Sequence, residues 1–210
     1  LKEKIGDIQG KAASLHEMAR VFLTRGDLDR ALALYQESLQ LLEQLGDVKG
    51  KAASFHQMAG VFRTRGDLDR ALALYQESLQ LYEQLGDIQG KAASLHAMAG
   101  VFLTRGDLVR ALALYQESLQ LLEQLGDVQG KATTLAMVGQ IHALQGDDSR
   151  ALALLQESLA VFERLAMPRE TARVRELIAA VAGGASGAPL PLAAAVASAR
   201  GAARSGDLPA

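Results

Sequence analysis

The 210-residue chain has no cysteine, no tryptophan and only four prolines. Without cysteine there can be no disulfide and no thiolate metal site, and the composition suits a reducing cytoplasm. Aromatic residues make up 4% of the chain, too few for base-stacking platforms. Lys and Arg number 22 against 24 Asp and Glu, a formal net charge of −2. A general nucleic-acid binder needs a basic face for phosphate contacts, so no nucleic-acid partner is expected. No apolar run approaches the roughly 20 residues of a membrane span. Leu1-Lys2-Glu3-Lys4 is not followed by a signal-peptide core, so no membrane partner is expected either. What remains is ordinary for a water-soluble fold, 49% apolar and 22% charged residues, in a chain long enough for a substantial core.

The positive feature is repetition. Residues 11–50 recur at 51–90 and 91–130, and more loosely at 131–170, a period of 40. The first and third blocks differ only at Glu17/Ala97, Arg20/Gly100, Asp29/Val109 and Lys49/Gln129. Each period reads as two helices. The first starts after Asp47, a good N-cap, and carries Val48, Ala52, Phe55, Met58, Ala59 and Phe62 on one face. Gly66 ends it. The second starts after Asp67 and carries Leu68, Ala71, Leu72, Leu74, Tyr75, Leu79, Leu81, Tyr82 and Leu85. These cover more than one stripe, so this helix must be buried on two sides, by its own partner and by the next repeat. Gly86 stops it. No alternating run bounded by turns favours a strand.

The boundaries predicted from this pattern are repeats at 7–46, 47–86, 87–126 and 127–166, with a capping helix at 168–182 opened by Pro168. Leu1-Lys-Glu-Lys-Ile-Gly-Asp7 is a worn copy of Leu41–Asp47, so residues 1–6 are predicted to be the end of a preceding helix in a longer array. Residues 183–210 read as a Gly/Ala/Pro-rich linker and tail, with a short helix at 190–204. Together, residues 1–182 predict an all-α fold, an α-solenoid of stacked antiparallel helix pairs.

These blocks resemble the tetratricopeptide repeat in its long, 40-residue form. The family pattern of a bulky residue, Leu-Gly, an aromatic, a Gly-Asp turn, Ala, an aromatic and Ala is matched by Leu15, Met18-Ala19, Phe22, Gly26-Asp27, Ala31, Tyr35 and Ser38. It recurs at Phe55, Met58-Ala59, Phe62, Gly66-Asp67, Ala71, Tyr75 and Ser78, and at Leu95, Met98-Ala99, Phe102, Gly106-Asp107, Ala111, Tyr115 and Ser118. The fourth block departs from it, with His142 and Leu155 in the aromatic places. The family's Pro after the second helix is replaced by Glu43, Glu83 and Glu123. Similar repeats look like those of bacterial signalling proteins and of scaffolds such as kinesin light chain.

The resemblance implies a right-handed superhelix that binds a protein or peptide partner and has no cofactor. It also implies that the first helices line a concave groove. Carried over, the groove positions are His16, Glu17, Arg20, Leu23 and Thr24; then His56, Gln57, Arg63 and Thr64; then His96, Leu103 and Thr104; and Gln140 in the fourth block beside Thr133, Ala136, Met137, Ala143 and Leu144. Glu17/Gln57/Ala97, Arg20/Gly60/Gly100 and Leu23/Arg63/Leu103 are among the few places where the near-identical blocks differ. Buried positions resist change through packing and groove positions need not. The family's clamp of Lys and Asn for a C-terminal carboxylate is missing from these places, and a mixed groove of His, Thr, Leu and Arg suits a helix or extended peptide with apolar anchors.

No catalytic constellation stands out, and no enzyme activity is expected. His16, His56 and His96 form a ladder whose helices, at about 8–10 Å apart, are too widely spaced for a shared metal ion. Unperturbed imidazoles there would make the groove pH-sensitive. Ser14, Ser54 and Ser94 lack evident base partners. Gly-Asp-Val-Gln-Gly-Lys at 126–131 lacks the glycine spacing and preceding strand of a phosphate loop. The competing readings are a sensor arm of a larger signalling protein and a self-assembling array joined end to end.

Overall fold

A computed structural model describes residues 2–183, with side chains from residue 6 onward. Every element among the described residues is an α-helix: α1 (Lys2–Thr24), α2 (Leu28–Leu45), α3 (Val48–Thr64), α4 (Leu68–Leu85), α5 (Ile88–Arg105), α6 (Leu108–Leu125), α7 (Val128–Leu144), α8 (Asp148–Arg164) and α9 (Pro168–Ala182). This is the all-α architecture of paired helices that the periodicity predicts. The chain forms two compact units, Leu1–Val101 and Phe102–Ala210, the division falling within α5.

The turns follow from local chemistry. Asp27 Oδ1 accepts from Arg30 N at 3.2 Å, Asp47 Oδ1 from Gly50 N at 2.8 Å and Asp127 Oδ1 from Gly130 N at 2.8 Å. Each bond satisfies a first-turn N–H that the helix leaves unpaired. At the other end, Gly46 takes φ +67°, its N–H donates to Glu43 O, and Asp47 N donates to Leu42 O. That is a Schellman closure, and the left-handed residue in it favours glycine. At the end of α8 the same bonds form, from Ala166 N to Glu163 O and from Met167 N to Phe162 O. Here Ala166 adopts φ 52° without glycine's freedom.

In the first unit, α2 lies between α1 and α3. Ala19, Ala31, Leu32, Tyr35, Met58 and Val61 form one buried cluster, with Phe22, Leu28 and Phe62 packed against it. Small side chains sit in the helix crossings, where Ala19, Ala31, Ala52 and Ala59 are all fully buried. The serine in the crossing does more than save space. Ser38 Oγ donates to Ala12 O at 2.9 Å and Ser78 Oγ to Ala52 O at 2.9 Å, both fully buried. In the second unit Ser158 Oγ donates to Ala132 O at 2.8 Å, pinning α8 to α7. There Ala132, Ala151, Leu155, Phe162, Val174, Leu177 and Val181 join α7, α8 and α9 in one core.

One expected boundary does not occur. The helix break predicted at Gly6-Asp7 is absent, and α1 runs unbroken from Lys2 to Thr24. Gly6 is not among the glycines with positive φ, and nothing lies within 4 Å of where its Cβ would be. Its counterpart Gly46 turns where α2 gives way to the packed helix α3. The predicted tail helix at 190–204, and residues 184–210 as a whole, lie outside the described residues.

Candidate functional site

The predicted groove residues fall on the odd-numbered helices, and they divide between the units. In the first unit α1 supplies His16, Glu17, Arg20, Leu23 and Thr24. Glu17 and Arg20 pair with each other at 3.0 Å across one helical turn, so much of their charge is spent locally. Thr24 Oγ1 donates to Val21 O at 2.8 Å, and Thr64 Oγ1 to Gly60 O at 2.9 Å. Both hydroxyls turn back onto their own helices. Arg63 is exposed and Gln57 is half-buried.

The imidazoles are more deeply set than an open groove implies. His16 meets Tyr35 edge-on with ring centroids 5.1 Å apart, and His56 meets Tyr75 in the same way at 5.1 Å. Burial lowers the affinity of all three for a proton. His56 and His96 are each pushed down to about 4, by desolvation first and by the Arg63 guanidinium second. His16 is lowered too, chiefly by burial. A ring whose pKa is about 4 stays neutral between pH 5.5 and 8, so the pH-sensitive groove expected of unperturbed imidazoles does not follow.

A polar chain joins α3, α4 and α5 in this unit. Ser78 Oγ lies 3.3 Å from Ser94 Oγ, which lies 3.4 Å from His56 Nδ1. Nothing in the repeat pattern points to an imidazole beside Ser94, 38 residues away. The pair is not a nucleophile and base, because Ser94 is fully buried and no substrate could reach its hydroxyl. Among the described residues no group of three or more His, Asp or Glu side chains could hold a metal ion.

In the second unit two predicted groove residues need correction. Leu103 is 4% exposed and Gln140 is 2% exposed. Gln140 Oε1 is buried and has no hydrogen-bond partner. Neither side chain is open to a partner: Leu103 is enclosed at the end of α5, and Gln140 is buried along with Ala136, Val138, Ile141 and Ala143 of α7. Thr104 is half-buried, whereas Thr133 stays exposed. An open feature of this unit is a cleft of about 70 Å³ lined by Thr133, Ala136 and Met137 of α7, Phe162 of α8, and Glu170, Arg173, Val174 and Leu177 of α9. The capping helix expected at 168–182 is α9, and a capping role alone does not include its share of this cleft. The signal was there, since Glu170, Arg173, Val174 and Leu177 follow one another at gaps of three, one and three, on one helical side. Among the described residues no helix is long and apolar enough to cross a membrane.

Comparison with known proteins bears on this arrangement. A family model described as tetratricopeptide repeat matches residues 10–84 and 90–164. Among solved structures, BtubC (BKLC) from P. vanneervenii is similar over 100% of this chain and 94% of its own, at 19% identity and a TM-score of 0.72. A Rap protein complexed with competence and sporulation factor is similar over 81% of this chain and 48% of its own, at 16% identity and a TM-score of 0.71. The signal transduction ATPase with numerous domains from Pyrococcus horikoshii, which has a tetratricopeptide repeat sensor, is similar over 86% of this chain and 28% of its own, at 16% identity and a TM-score of 0.75. The chain thus spans about half of the Rap protein and under a third of the ATPase. At these identities the likeness shows the fold alone. No curated protein matches the sequence.

Proposed function

Because the chain belongs to the tetratricopeptide repeat family, we propose that it is a protein-interaction scaffold that holds a peptide or helix of a partner against its odd-numbered helices and performs no chemistry itself. The observation that carries this reading is the cleft between α7 and α9. Its floor of Ala136, Met137, Phe162, Val174 and Leu177 is apolar, and its rim holds Glu170 and Arg173. A small apolar recess with a few charges at its edge takes one anchoring side chain and fixes its direction. In the first unit the exposed faces of Glu17, Arg20, Arg63 and Thr64, with half-buried His16, His56, His96, Gln57 and Leu23, form a second contact patch. There neutral imidazoles offer hydrogen bonds rather than charge. A protein partner in a reducing cytoplasm, with no membrane or nucleic acid, fits the cysteine-free composition and the net charge of −2.

The test is selection of binding peptides from a displayed library against the 210-residue chain, followed by affinity measurement on variants. Met137→Glu and Thr133→Glu should weaken the selected peptides by about tenfold or more, a loss near 1.4 kcal/mol. Peptides that bind both variants and Arg63→Glu as they bind the wild type would end this reading. A second reading, a sensor arm within a larger signalling protein, is favoured by the fold shared with the Pyrococcus repeat sensor. A catalytic or nucleotide-binding domain in the same polypeptide, whose activity changes when the peptide binds, would select it.

A further inference from the structure

Two near-identical repeats of the first unit treat the same kind of charge differently. On α1, Arg20 is balanced by Glu17 at 3.0 Å, and both charges act on His16 and on Tyr35. This repeat closes its cation with its own carboxylate. On α3 the two places hold Gln57 and Gly60, and the cation reappears one turn later as Arg63. Arg63 is exposed, and no acidic side chain among the described residues pairs with it. Its charge acts instead on His56, His96 and Tyr75, and no carboxylate acts on any of the three.

Hydrogen-bond donors gather beside that cation. His56, Gly60 and Arg63 follow at gaps of four and three, so they share one face of α3. A helical side chain leans over the turn before its own Cα, which carries Arg63 toward Gly60. Gly60 leaves a gap there. Across it lies Tyr75 Oη of α4, 3.6 Å from where a Cβ would be. That hydroxyl makes no hydrogen bond among the described residues. The Tyr75 ring meets His56 edge-on at 5.1 Å. Ser78 spends its proton on Ala52 O at 2.9 Å, so Ser94 keeps its own to share between Ser78 Oγ at 3.3 Å and His56 Nδ1 at 3.4 Å. With Ser94 donating to Nδ1, the ring carries its proton on Nε2. A guanidinium, a phenol and an imidazole N–H then stand together as donors with one positive charge among them.

We propose that the face of α3 over Gly60, framed by Arg63, His56 and Tyr75 Oη, is the seat of one carboxylate from an Asp or Glu side chain of the partner peptide, a reading that rests on the scaffold function above. The carboxylate takes the part that Glu17 plays on α1, supplied here by the partner. It accepts from Arg63, Tyr75 Oη and His56 Nε2, and charge-assisted bonds of this kind are the strong ones. A phosphoryl group carries about −1.5 to −2 at neutral pH and would leave charge uncompensated over a single guanidinium. An exposed ion pair by itself contributes little. A free small acid therefore gains too little here, whereas a peptide adds contacts along the helix and uses the acid to fix its register.

The probes are library-selected peptides resynthesised with both termini blocked, so that side chains supply the only carboxylates. Exchanging the critical Asp for Asn, or Glu for Gln, should weaken binding to the whole 210-residue chain by about tenfold. On Arg63→Gln, which removes an exposed and unpaired side chain and leaves the fold intact, the same exchange should cost less than about threefold. Gly60→Glu places a carboxylate three residues before Arg63, the spacing of Glu17 and Arg20, and should displace the peptide's acid with a loss of about tenfold. Gly60→Gln, of equal bulk and no charge, should lose less. The ring signals of His56 should move with the acidic peptide and not with its amide. Peptides that bind with no acid whose exchange matters, or whose acid costs as much on Arg63→Gln as on the wild type, overturn the carboxylate seat and leave the scaffold reading standing. Binding that Gly60→Glu leaves unchanged does the same, and so does tighter binding when phosphoserine replaces the acid. A library that yields no binding peptide ends the scaffold reading and the seat with it.

Discussion

One substitution, Gly→Ala, should change sign along this chain although the repeat place is the same. Gly10, Gly50, Gly90 and Gly130 stand at equivalent positions in the first turn or so of their repeats. In a helix, Ala is favoured over Gly by about 1 kcal/mol. At Gly10 that gain is unopposed, since nothing lies within 4 Å of the new Cβ. Gly10→Ala should stabilise α1 by about 0.5–1 kcal/mol, or roughly 2–4 °C in a transition that includes it. At Gly90 the new Cβ would enter the ring of Tyr82, which is nearly buried and backed by its own helix. The contacts there, 2.3–2.5 Å, are the tightest at any of these glycines, so the cost lies toward the top of the about 1–3 kcal/mol usual for overpacking, and after the helix gain of about 1 kcal/mol Gly90→Ala should be destabilising by up to about 2 kcal/mol. Gly130→Ala meets the Asp127 carboxylate that caps its own helix, at 2.5 Å, and the adaptable Leu122 at 2.8 Å, and should fall between. The assay is urea unfolding combined with amide exchange in α1 and α5, because stacked repeats open locally and a single midpoint can average over them. Tyr82→Leu should reduce the cost of Gly90→Ala to that of Gly130→Ala. If Gly10→Ala and Gly90→Ala shift stability in the same direction, the placement of the preceding helix over Gly90 is wrong.

Other outcomes follow from the same contacts. Ala166→Gly should stabilise the α8–α9 turn by about 1 kcal/mol, since a left-handed conformation costs an L-residue about 1–2 kcal/mol. Unchanged exchange protection in α9 would argue against that strain. Leu155→Ala empties a fully buried site and should cost about 2–5 kcal/mol in the second unit, visible by chemical unfolding. A loss under about 1 kcal/mol would show that α7 and α8 are not packed there. Ser158→Ala removes one buried hydrogen bond to a carbonyl that also serves its helix, and should cost only about 0.5–1.5 kcal/mol. The buried imidazoles set a pH dependence. His56 and His96 sit near 4 when folded and near 6.5 when unfolded, so the unfolded chain binds more protons as the solution is acidified. Their contribution is complete above about pH 6.5 and is lost as the pH falls toward about 4. NMR titration of the His56 ring with a midpoint near 6.5 would contradict this.

What was legible in the sequence was local or periodic. Asp27, Asp47 and Asp127 cap helices because the bond they make spans three residues. Gly46 turns because its own backbone permits it. Tyr35, Tyr75 and Tyr115 are buried because they repeat on a stripe that must face a neighbour. What was not legible depends on which neighbour arrives. Identical Gly-Asp pairs turn at residues 46–47, where α3 packs back onto α2, and run on as helix at 6–7, a difference that the pair itself does not carry. Leu103 and Gln140 share a repeat register with exposed residues yet are enclosed, an outcome of packing that register alone does not carry. The approach of Ser94 to His56 needs α3 and α5 side by side. The assignment of α9 to a cap hid Glu170 and Arg173 at the rim of the cleft.

The claim that a partner is held on the odd-numbered helices is tested most directly by methyl and amide NMR on the chain saturated with a library-selected peptide. The account predicts perturbations at Met137, Thr133, Val174 and Leu177, or at Gln57, Arg63 and Thr64, with the outward residues Ala33, Ala73, Ala113 and Ala153 of the even-numbered helices unmoved. Perturbations confined to those alanines and their exposed neighbours would place the partner on the opposite surface and contradict it.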